Sequence, residues 1–280
     1  MIREVIKKTI IKTAYFAGIL EGMFRLDLGQ VVFIVGTGRC GTSLLDRILK
    51  SHPDISGFPG EGNDLWHPKL ESSTKIQIET MPIEFDSKAY TELSLRNWPI
   101  NHSKRIKQTF NGFQVITGIK KVFFIKSAMI SFMMPQIIKL YPEAKFIHIY
   151  RYGPSVVASY FKKNYQKYQN YRPDMEDYYI TCARYWNNCI LNIEKDRKKL
   201  SLDDKNAFFE LSYESLCDNT ENTLSNLANF LNIQFEEFTY DLSLIRNTNY
   251  KVKEVFQDIE LKQIIDREMH AAMKQKGYLS

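Results

Sequence analysis

The sequence predicts an α/β fold in which a mostly parallel β-sheet is flanked by helices. Short apolar segments alternate with longer stretches of helical periodicity, which is the pattern of βαβ units. The apolar segments are residues 31–35, VFFIK from Val122, AKFIHIYR from Ala144 and AFFEL from Ala207. Because a helical stretch separates one segment from the next, we expect the carboxyl ends of the strands to meet at one edge of the sheet.

The first element is an amphipathic helix at about residues 1–25. Lys7, Lys8 and Lys12 interrupt its apolar run, so the segment is too polar for a membrane-spanning helix. It also lacks the basic-then-apolar order and the cleavage site of a signal peptide. We expect this helix to pack on the domain, and the alternative is that it rests on a membrane surface or on a partner.

The next strand, at residues 31–35, is followed by a predicted helix from about Thr42 to Lys50. This helix closes at SHPD, since Pro53 cannot continue it. The segment from Gly57 to about Gln114 is polar and weakly periodic, so it predicts a loop-rich substrate cleft.

Beyond Val122 the helical stretches are more regular. The first is MISFMMPQIIKLYP, and the second is a helix with Pro154 in its first turn. The others are residues 175–200, NTENTLSNLANFLNI and a tail from Lys253 to Gly277. The sequence SYESL is interpreted as the exit loop of the AFFEL strand. No linker rich in proline, glycine or serine divides the chain, so we predict one domain over residues 1–280.

Composition places the chain among ordinary soluble proteins. Its 280 residues carry a net charge of +6, which favours anionic ligands and does not require nucleic acid. Its four cysteines form no C-x-x-C pair, which argues against a zinc site or a disulfide framework. A reducing compartment such as the cytoplasm is therefore expected, with no nucleic-acid partner.

A glycine-rich turn follows the strand at residues 31–35. In GTGRCGTS, Gly36, Gly41 and Ser43 match the pattern G-x-x-x-x-G-K-[ST], but Thr42 stands at the lysine position. The backbone amides of such a turn bind an anion whatever residue occupies that position. A triphosphate needs the lysine, so this loop suits a ligand with a single phosphate link, and Arg39 restores one positive charge.

A second pair of anion-binding side chains follows a later strand. Arg151 stands at the end of FIHIYR, and Ser159 comes eight residues later, in the second turn of the next helix. An arginine and a hydroxyl at this spacing can share one phosphate. Because ligands of open α/β sheets bind along the carboxyl edge, we expect both anion sites to lie there.

With these motifs the chain resembles the sulfotransferases that use 3′-phosphoadenosine 5′-phosphosulfate (PAPS) as donor. The family's 5′-phosphosulfate loop is matched by RCGTS at residues 39–43, and its 3′-phosphate motif by Arg151 and Ser159. A strand that ends in lysine and a small residue appears as FFIKSAM, with Lys126. The Y-E-x-L element and its helix appear as LSYESLCDNTENTLSNLANFLNI.

The resemblance implies a P-loop-like architecture and transfer of a sulfuryl group to a hydroxyl or amine, without a metal ion. It also implies that Arg39 and Lys126 are catalytic, with Lys126 facing the bridging oxygen, and that Tyr213 lies by the adenine. The donor-binding residues that it implies are Arg39, Cys40, Gly41, Thr42, Ser43, Arg151, Ser159 and Tyr213.

The general base is Glu61 or a histidine. HPDISGFPGEGND resembles the subgroup that acts on protein tyrosine or on sugars, in which a glutamate after H-P-D accepts the proton. Glu61 lies between two glycines and can approach a substrate, although a solvated loop carboxylate would look the same. His67 is the rival base, whereas His148 and His52 are expected to be structural.

The C-terminal part of the donor site is less well defined. The glycine-rich 3′-phosphate loop of many cytosolic members has no clear counterpart, and Asn249 and Lys251 in NTNYKVK are candidates for its role. The aromatic stretch YYITCARYWNNCI could line an acceptor cleft, although helical core is the favoured interpretation. Sugars, lipid headgroups, small phenols and peptide tyrosines all remain open as acceptors.

Two other functions compete with sulfuryl transfer. A nucleotide kinase or NTPase with a degenerate loop would bind Mg²⁺ and ATP and would need an acidic strand end, but FIHIYR and FFIK both end in cations. A non-enzymatic binding module would keep the nucleotide fold and would lose no turnover on loss of Glu61 or Lys126.

Overall fold

In the part of the chain that the structure describes, five strands form one parallel sheet. A computed structural model describes residues 2–24, 26–66, 100–168, 175–254 and 256–279 of the chain. Its strands are β1 (Gln30–Val35), β2 (Ile55–Gly57), β3 (Val122–Lys126), β4 (Lys145–Tyr150) and β5 (Phe208–Ser212). They pair in the order β2-β3-β1-β4-β5, and every pairing is parallel. The predicted α/β fold with a parallel sheet flanked by helices is thus confirmed.

Helices flank the sheet. Within the described ranges they are α1 (Ile2–Phe24), α2 (Thr42–Leu49), α3 (Asn63–Trp66), α4 (Ile100–Thr117), α5 (Met134–Leu140), α6 (Gly153–Tyr168), α7 (Met175–Lys199), α8 (Tyr213–Asp218), α9 (Thr220–Leu231) and α10 (Ile259–Gln275). Short 3₁₀ turns occupy Ala128–Phe132, Phe235–Glu237, Leu242–Leu244 and Asn249–Glu254.

The three central strands are apolar on both faces because helices lie on both sides of the sheet. Their fully buried side chains include Phe33, Phe124 and Phe146. The ring of Phe33 lies 5.9 Å from the ring of Phe146 on the neighbouring strand. Continuous burial of this kind explains why the periodicity of these strands is apolar throughout rather than alternating.

The register of the sheet brings the predicted site residues to one edge. Ile34 near the end of β1 pairs with Lys126 at the end of β3, and Val35 pairs with His148 on β4. Arg151 follows the end of β4 directly. The turn after β1 therefore lies between Lys126 on one side and Arg151 on the other.

The segment predicted as a loop-rich cleft is in part regular structure. Residues 55–57 form the edge strand β2, and Ile100–Thr117 forms α4, whose Ile106, Phe110 and Phe113 are buried in the core. The loop prediction was therefore wrong for residues 100–114, whereas β2 overlaps the predicted segment only at Gly57. Residues 67–99 lie outside the described part of the chain.

Two smaller predictions also need correction. The stretch predicted as one helix from residue 129 divides into the 3₁₀ turn Ala128–Phe132 and α5, because Pro135 in the first turn of α5 cannot donate a hydrogen bond to the turn before it. Tyr213–Asp218, interpreted as an exit loop, is the helix α8, which Ser212 caps by accepting a hydrogen bond from the Ser215 amide.

The N-terminal helix α1 packs on α4. The two backbones touch, since a Cβ atom added to Gly112 would meet the Ala14 carbonyl oxygen at 1.7 Å and one added to Gly18 would meet that of Gln108 at 1.8 Å. Asn111 also donates a hydrogen bond to Glu21. Among the described helices, none is long and apolar enough to cross a membrane.

Candidate functional site

The turn after β1 has the backbone of an anion-binding loop. Gly36 and Gly41 have φ angles of 142° and 110°, and Arg39 also lies at positive φ, 67°. Ser131 holds the start of the turn, because its hydroxyl accepts from the Gly36 amide at 2.9 Å and donates to the Gly36 carbonyl at 3.1 Å. Gly41 is the N-cap of α2 and has no side chain to cap the first amides of that helix. These amides therefore face the end of the turn.

Close packing explains two of the glycines in this turn. A Cβ atom at Gly38 would lie 2.1 Å from the Tyr160 hydroxyl, and one at Gly41 would lie 2.8 Å from the Tyr213 ring. The Gly38 amide donates to the Tyr185 hydroxyl at 3.2 Å. Aromatic side chains from three helices therefore fix the path of the turn.

The side chain of Cys40 is turned away from the predicted donor site and into the core. Its side chain is fully buried, and its thiol donates to the Thr37 carbonyl at 2.7 Å. Burial raises the pKa of the thiol to about 12, so it stays protonated and inert. Thr42 and Ser43 are at least partly accessible in the first turn of α2.

The two predicted anion sites are joined by a direct contact. Nε of Arg39, in the turn after β1, donates to the Ser159 hydroxyl of α6 at 3.1 Å. Nη1 of Arg151 lies 3.4 Å from the Arg39 carbonyl. Arg39, Arg151 and Ser159, which stand up to 120 residues apart in the chain, therefore form one cluster.

Arg151 is held in a single orientation. Only 7% of it is exposed, and its guanidinium carbon lies 4.3 Å from the centre of the Tyr213 ring. Nε donates to Asn249 at 2.7 Å and Nη2 donates to Thr248 at 3.0 Å. Burial lowers the pKa of Arg151, but from an ordinary value so high that the group stays charged at neutral pH.

A glutamate orients the groups that surround Arg151. Glu214 accepts hydrogen bonds from the Asn249 side chain, the Tyr152 amide and the Tyr278 hydroxyl. Tyr213 in turn donates to the Arg246 carbonyl at 2.8 Å. The hydrogen bonds of Asn249 thus connect Arg151 to Glu214. Asn249 is a positioning residue for the arginine, and the side chain of Lys251 lies outside the described part of the chain.

A cavity of about 460 Å³ opens beside this cluster. Its size is that of a small-molecule site. It is lined by Arg39, Arg151, Ser155, Ala158, Ser159, Lys162, Lys163, Thr248 and Val252. Four of these residues are cationic and none is acidic, so the cavity favours an anion.

Lys126 lies on the other side of the turn, at the end of β3. Its side chain is 14% exposed, and its Nζ lies 3.8 Å from a carboxylate oxygen of Asp46 on α2. Asp46 also pairs with Lys50 at 2.9 Å. Ser127 is buried and caps the following 3₁₀ turn, since its hydroxyl accepts from the Met129 amide at 3.2 Å.

Glu61 follows the edge strand β2 and is exposed. Gly60 and Gly62 on either side have φ angles of 80° and 65°, a conformation that favours glycine. The Glu61 carbonyl accepts from the indole of Trp66 at 2.8 Å. The loop is therefore ordered by its backbone, and it leaves β2 at the carboxyl edge of the sheet. His67 lies outside the described residues.

His148 and His52 have the structural roles that were predicted. His148 is fully buried and pairs with Glu210 at 2.8 Å, and burial lowers its pKa. His52 bonds to the Gln234 carbonyl at 2.9 Å and accepts from the Asp54 amide at 3.1 Å. The aromatic stretch of α7 is core, since Tyr178, Tyr185 and Trp186 are all buried.

Several residues of the site had no signal in the sequence pattern. Ser131 and Thr248 act through hydrogen bonds across 95 and 97 positions, which no local motif reports. Glu214 is the glutamate of the Y-E-x-L element, but that motif does not indicate its bond from Asn249 across 35 positions. Lys162 and Lys163 had a partial signal, because they stand three and four residues after Ser159 and so share its face of α6.

Comparison with known proteins agrees with this geometry. Residues 31–237 match the sulfotransferase family, which is more than half of the chain. A search of curated proteins finds no match.

Similar folds occur among solved structures. The sulfotransferase domain from the curacin biosynthetic pathway is 16% identical with a TM-score of 0.56, and 91% of this chain and 99% of that chain are covered. A sulfotransferase from Mycobacterium tuberculosis is 14% identical with a TM-score of 0.59 and coverage of 89% and 81%. One from Mycobacterium avium is 9% identical with a TM-score of 0.60 and coverage of 90% and 78%. At these identities the likeness concerns the fold.

Proposed function

The chain belongs to the sulfotransferase family and is an enzyme of sulfuryl transfer, and from that premise we propose that its donor is PAPS. PAPS carries a phosphosulfate on its 5′ side and a separate phosphate on its 3′ side. The donor therefore needs two anion sites a ribose apart and has no use for the lysine that a triphosphate requires.

The observation that carries this proposal is the cavity beside the turn after β1. There Arg39 bonds to Ser159 at 3.1 Å and Arg151 lies against the Arg39 carbonyl, so the two anion sites share one wall. In the proposed complex the turn amides bind the 5′-phosphosulfate, and Arg151 with Ser159 binds the 3′-phosphate. The 5′-phosphosulfate and the 3′-phosphate of one nucleotide would then fill the two anion sites.

The charge of the cavity suits a 3′-phosphate. Besides Arg39 and Arg151, the cavity presents Lys162 and Lys163 from α6. Point charges of this kind bind phosphate without demanding a fixed geometry, whereas the arginines supply planar, directed donors. We therefore assign to Lys162 and Lys163 the charge that a glycine-rich C-terminal loop provides in many cytosolic members. Tyr213, which stacks on Arg151 and abuts Gly41, is assigned to the adenine side.

The proposed transfer is an in-line displacement at sulfur. The acceptor oxygen forms a bond to sulfur while the bond from sulfur to the bridging oxygen breaks, and that oxygen leaves with the 5′-phosphate. Negative charge develops on the bridging oxygen, where Lys126 and Arg39 would stabilise it together with the amides at the start of α2. Lys126 suits this task because its partner Asp46 is 3.8 Å away, too distant to neutralise it by a hydrogen bond.

A base must remove the proton of the acceptor, and we assign this role to Glu61. Its carboxylate is exposed on a loop fixed by Gly60, Gly62 and the bond from Trp66, at the same sheet edge as the turn. The rival assignment is His67. No metal ion takes part in the proposed step, because β3 and β4 lead into Lys126 and Arg151 where an NTPase places an acidic ligand for Mg²⁺.

The acceptor is open among sugars, lipid headgroups, small phenols and peptide tyrosines. The direct test of the function is to incubate the chain and sulfur-labelled PAPS with a metabolite extract of the source cell and then to identify the labelled product. We expect one labelled acceptor and release of adenosine 3′,5′-bisphosphate (PAP). Absence of label transfer, or transfer unchanged by Lys126→Met, would contradict the proposal.

A further inference from the structure

One face of α1 carries large apolar side chains into solvent. The exposed fractions are 64% for Phe16, 55% for Leu20, and 74% for both Met23 and Phe24. Their spacing places them in one stripe along the helix. The opposite face, with Ala14 and Gly18, is the one that packs against α4. This stripe, Phe16 with Leu20, Met23 and Phe24, is therefore an outward surface and no part of the core.

The helix pair around the stripe is strongly basic. Residues 2–24 and 100–117 contain seven cationic and two acidic residues, a net charge of +5 where the whole chain has +6. Lys12 is exposed one turn before Phe16, and α4 exposes Lys104, Arg105 and Lys107. The acidic Glu21 accepts a hydrogen bond from Asn111 at 2.9 Å, at the contact between the helices.

From this combination we propose that α1 docks on an anionic lipid bilayer. The stripe would enter the boundary between headgroups and acyl chains, with the helix parallel to the surface, and the cations of α1 and α4 would meet anionic headgroups. A helix with aromatic and aliphatic residues on one side and a lysine, Lys12, beside them is suited to this position. A second copy of the chain fits less well, because two surfaces of the same positive charge repel each other.

The test is sedimentation of the full chain with lipid vesicles. One set contains phosphatidylcholine alone, and the other contains phosphatidylcholine and phosphatidylserine at about 3:1. We expect partitioning at least about tenfold stronger onto the second set, weakening as salt is raised. Failure of the chain to bind the anionic vesicles would overturn the proposal.

Matched variants separate the stripe from general charge. Leu20→Glu with Phe24→Glu should lower the partitioning at least about tenfold. Ile259→Glu on α10, where the wild-type side chain is also 74% exposed, should leave it unchanged. Thermal unfolding checks that all variants fold, since every substituted side chain is exposed. Equal partitioning of the double variant and the control would contradict docking through α1.

Light scattering in the absence of lipid measures the oligomeric state of the chain. We expect a monomer for the wild type and for both variants. A dimer that Leu20→Glu with Phe24→Glu dissociates would assign the stripe to a second copy of the chain and would overturn membrane docking. Because none of these measurements involves PAPS, their outcome is independent of the proposed reaction.

Discussion

Replacing Arg151 should abolish recognition of the 3′-phosphate and leave recognition of the 5′ side nearly intact. We consider Arg151→Met, which keeps an apolar stem against the Tyr213 ring and removes the charge. In the wild type, Nε and Nη2 are engaged by Asn249 at 2.7 Å and Thr248 at 3.0 Å. Nη1 makes only a 3.4 Å contact to the Arg39 carbonyl, so its N–H groups are the least engaged of the three nitrogens, and we assign them to the ligand.

The magnitude follows from the kind of bond that is lost. A hydrogen bond from a charged group contributes about 1.5–3 kcal/mol, which is roughly a ten- to 150-fold change in Kd. Arg151→Met should weaken PAP binding by that factor. Ser159→Ala removes a neutral hydroxyl, and its cost of about 0.5–1.5 kcal/mol is roughly a two- to tenfold change. Binding of 5′-AMP, which has no 3′-phosphate, should change less than about threefold for either variant.

Isothermal titration of the three proteins with PAP and with 5′-AMP measures these differences directly. Arg151→Lys provides the matched control, since it returns the charge without the planar fork and should recover part of the loss. Thermal unfolding verifies that the variants are folded. If PAP and 5′-AMP lost affinity equally, Arg151 would act on the fold or on the 5′ side, and the assignment of the 3′-phosphate would be refuted.

Three further predictions test the general base, the glycine turn after β1 and the ion pairs of Lys276. Glu61→Gln should keep PAP affinity while turnover falls by about 10²- to 10⁴-fold, and a dead His67→Ala with a near-normal Glu61→Gln would assign the base to the histidine instead. Gly38→Ala should weaken PAP binding, because the new Cβ would lie 2.1 Å from the Tyr160 hydroxyl. Adding Tyr160→Phe should restore part of the affinity for PAP. Without such a rescue, this clash would not be the cause of the weaker binding. Lys276→Met removes a 3%-exposed side chain that pairs with two carboxylates. Urea unfolding should therefore show a free energy of unfolding lower by about 3 kcal/mol, with turnover retained. An unchanged unfolding midpoint would contradict the pairing.

The central strands could be predicted from the sequence because their burial is continuous. β1, β3 and β4 are apolar along most of their length, and the glycine turn or the cation at each end marks the boundary. β2 was missed because it has three residues and is defined by its pairing with β3 rather than by its own composition. A strand this short has no periodicity to detect.

The helix α4 was missed for a different reason. Its buried side includes Thr109, Asn111 and Gln114, so the apolar periodicity is diluted by polar residues. These residues are buried because each has a long-range partner or a local one: Gln114 accepts from the Gly29 amide at 3.0 Å, and Asn111 donates to Glu21. Such partners become visible only when the chain is folded.

The candidate site also contains residues that the sequence predicts and residues that it does not. Arg39, Arg151 and Ser159 follow from motifs at strand ends, and the structure brings them into contact. The residues that hold them, such as Ser131 and Thr248, come from distant elements and form no motif. Local sequence therefore predicts which groups meet the ligand, whereas the tertiary structure determines how they are oriented.

The central claim is that one cavity binds a nucleotide with separate 5′ and 3′ phosphates. Isothermal titration of the wild-type protein with PAP, and with ATP in the presence and absence of Mg²⁺, tests this claim most directly. We predict that PAP binds at least about tenfold tighter than ATP under both conditions, since a single contact of Arg151 to the 3′-phosphate accounts for that factor. Tighter binding of ATP, above all binding that needs Mg²⁺, would contradict the claim and would favour a nucleotide kinase or NTPase.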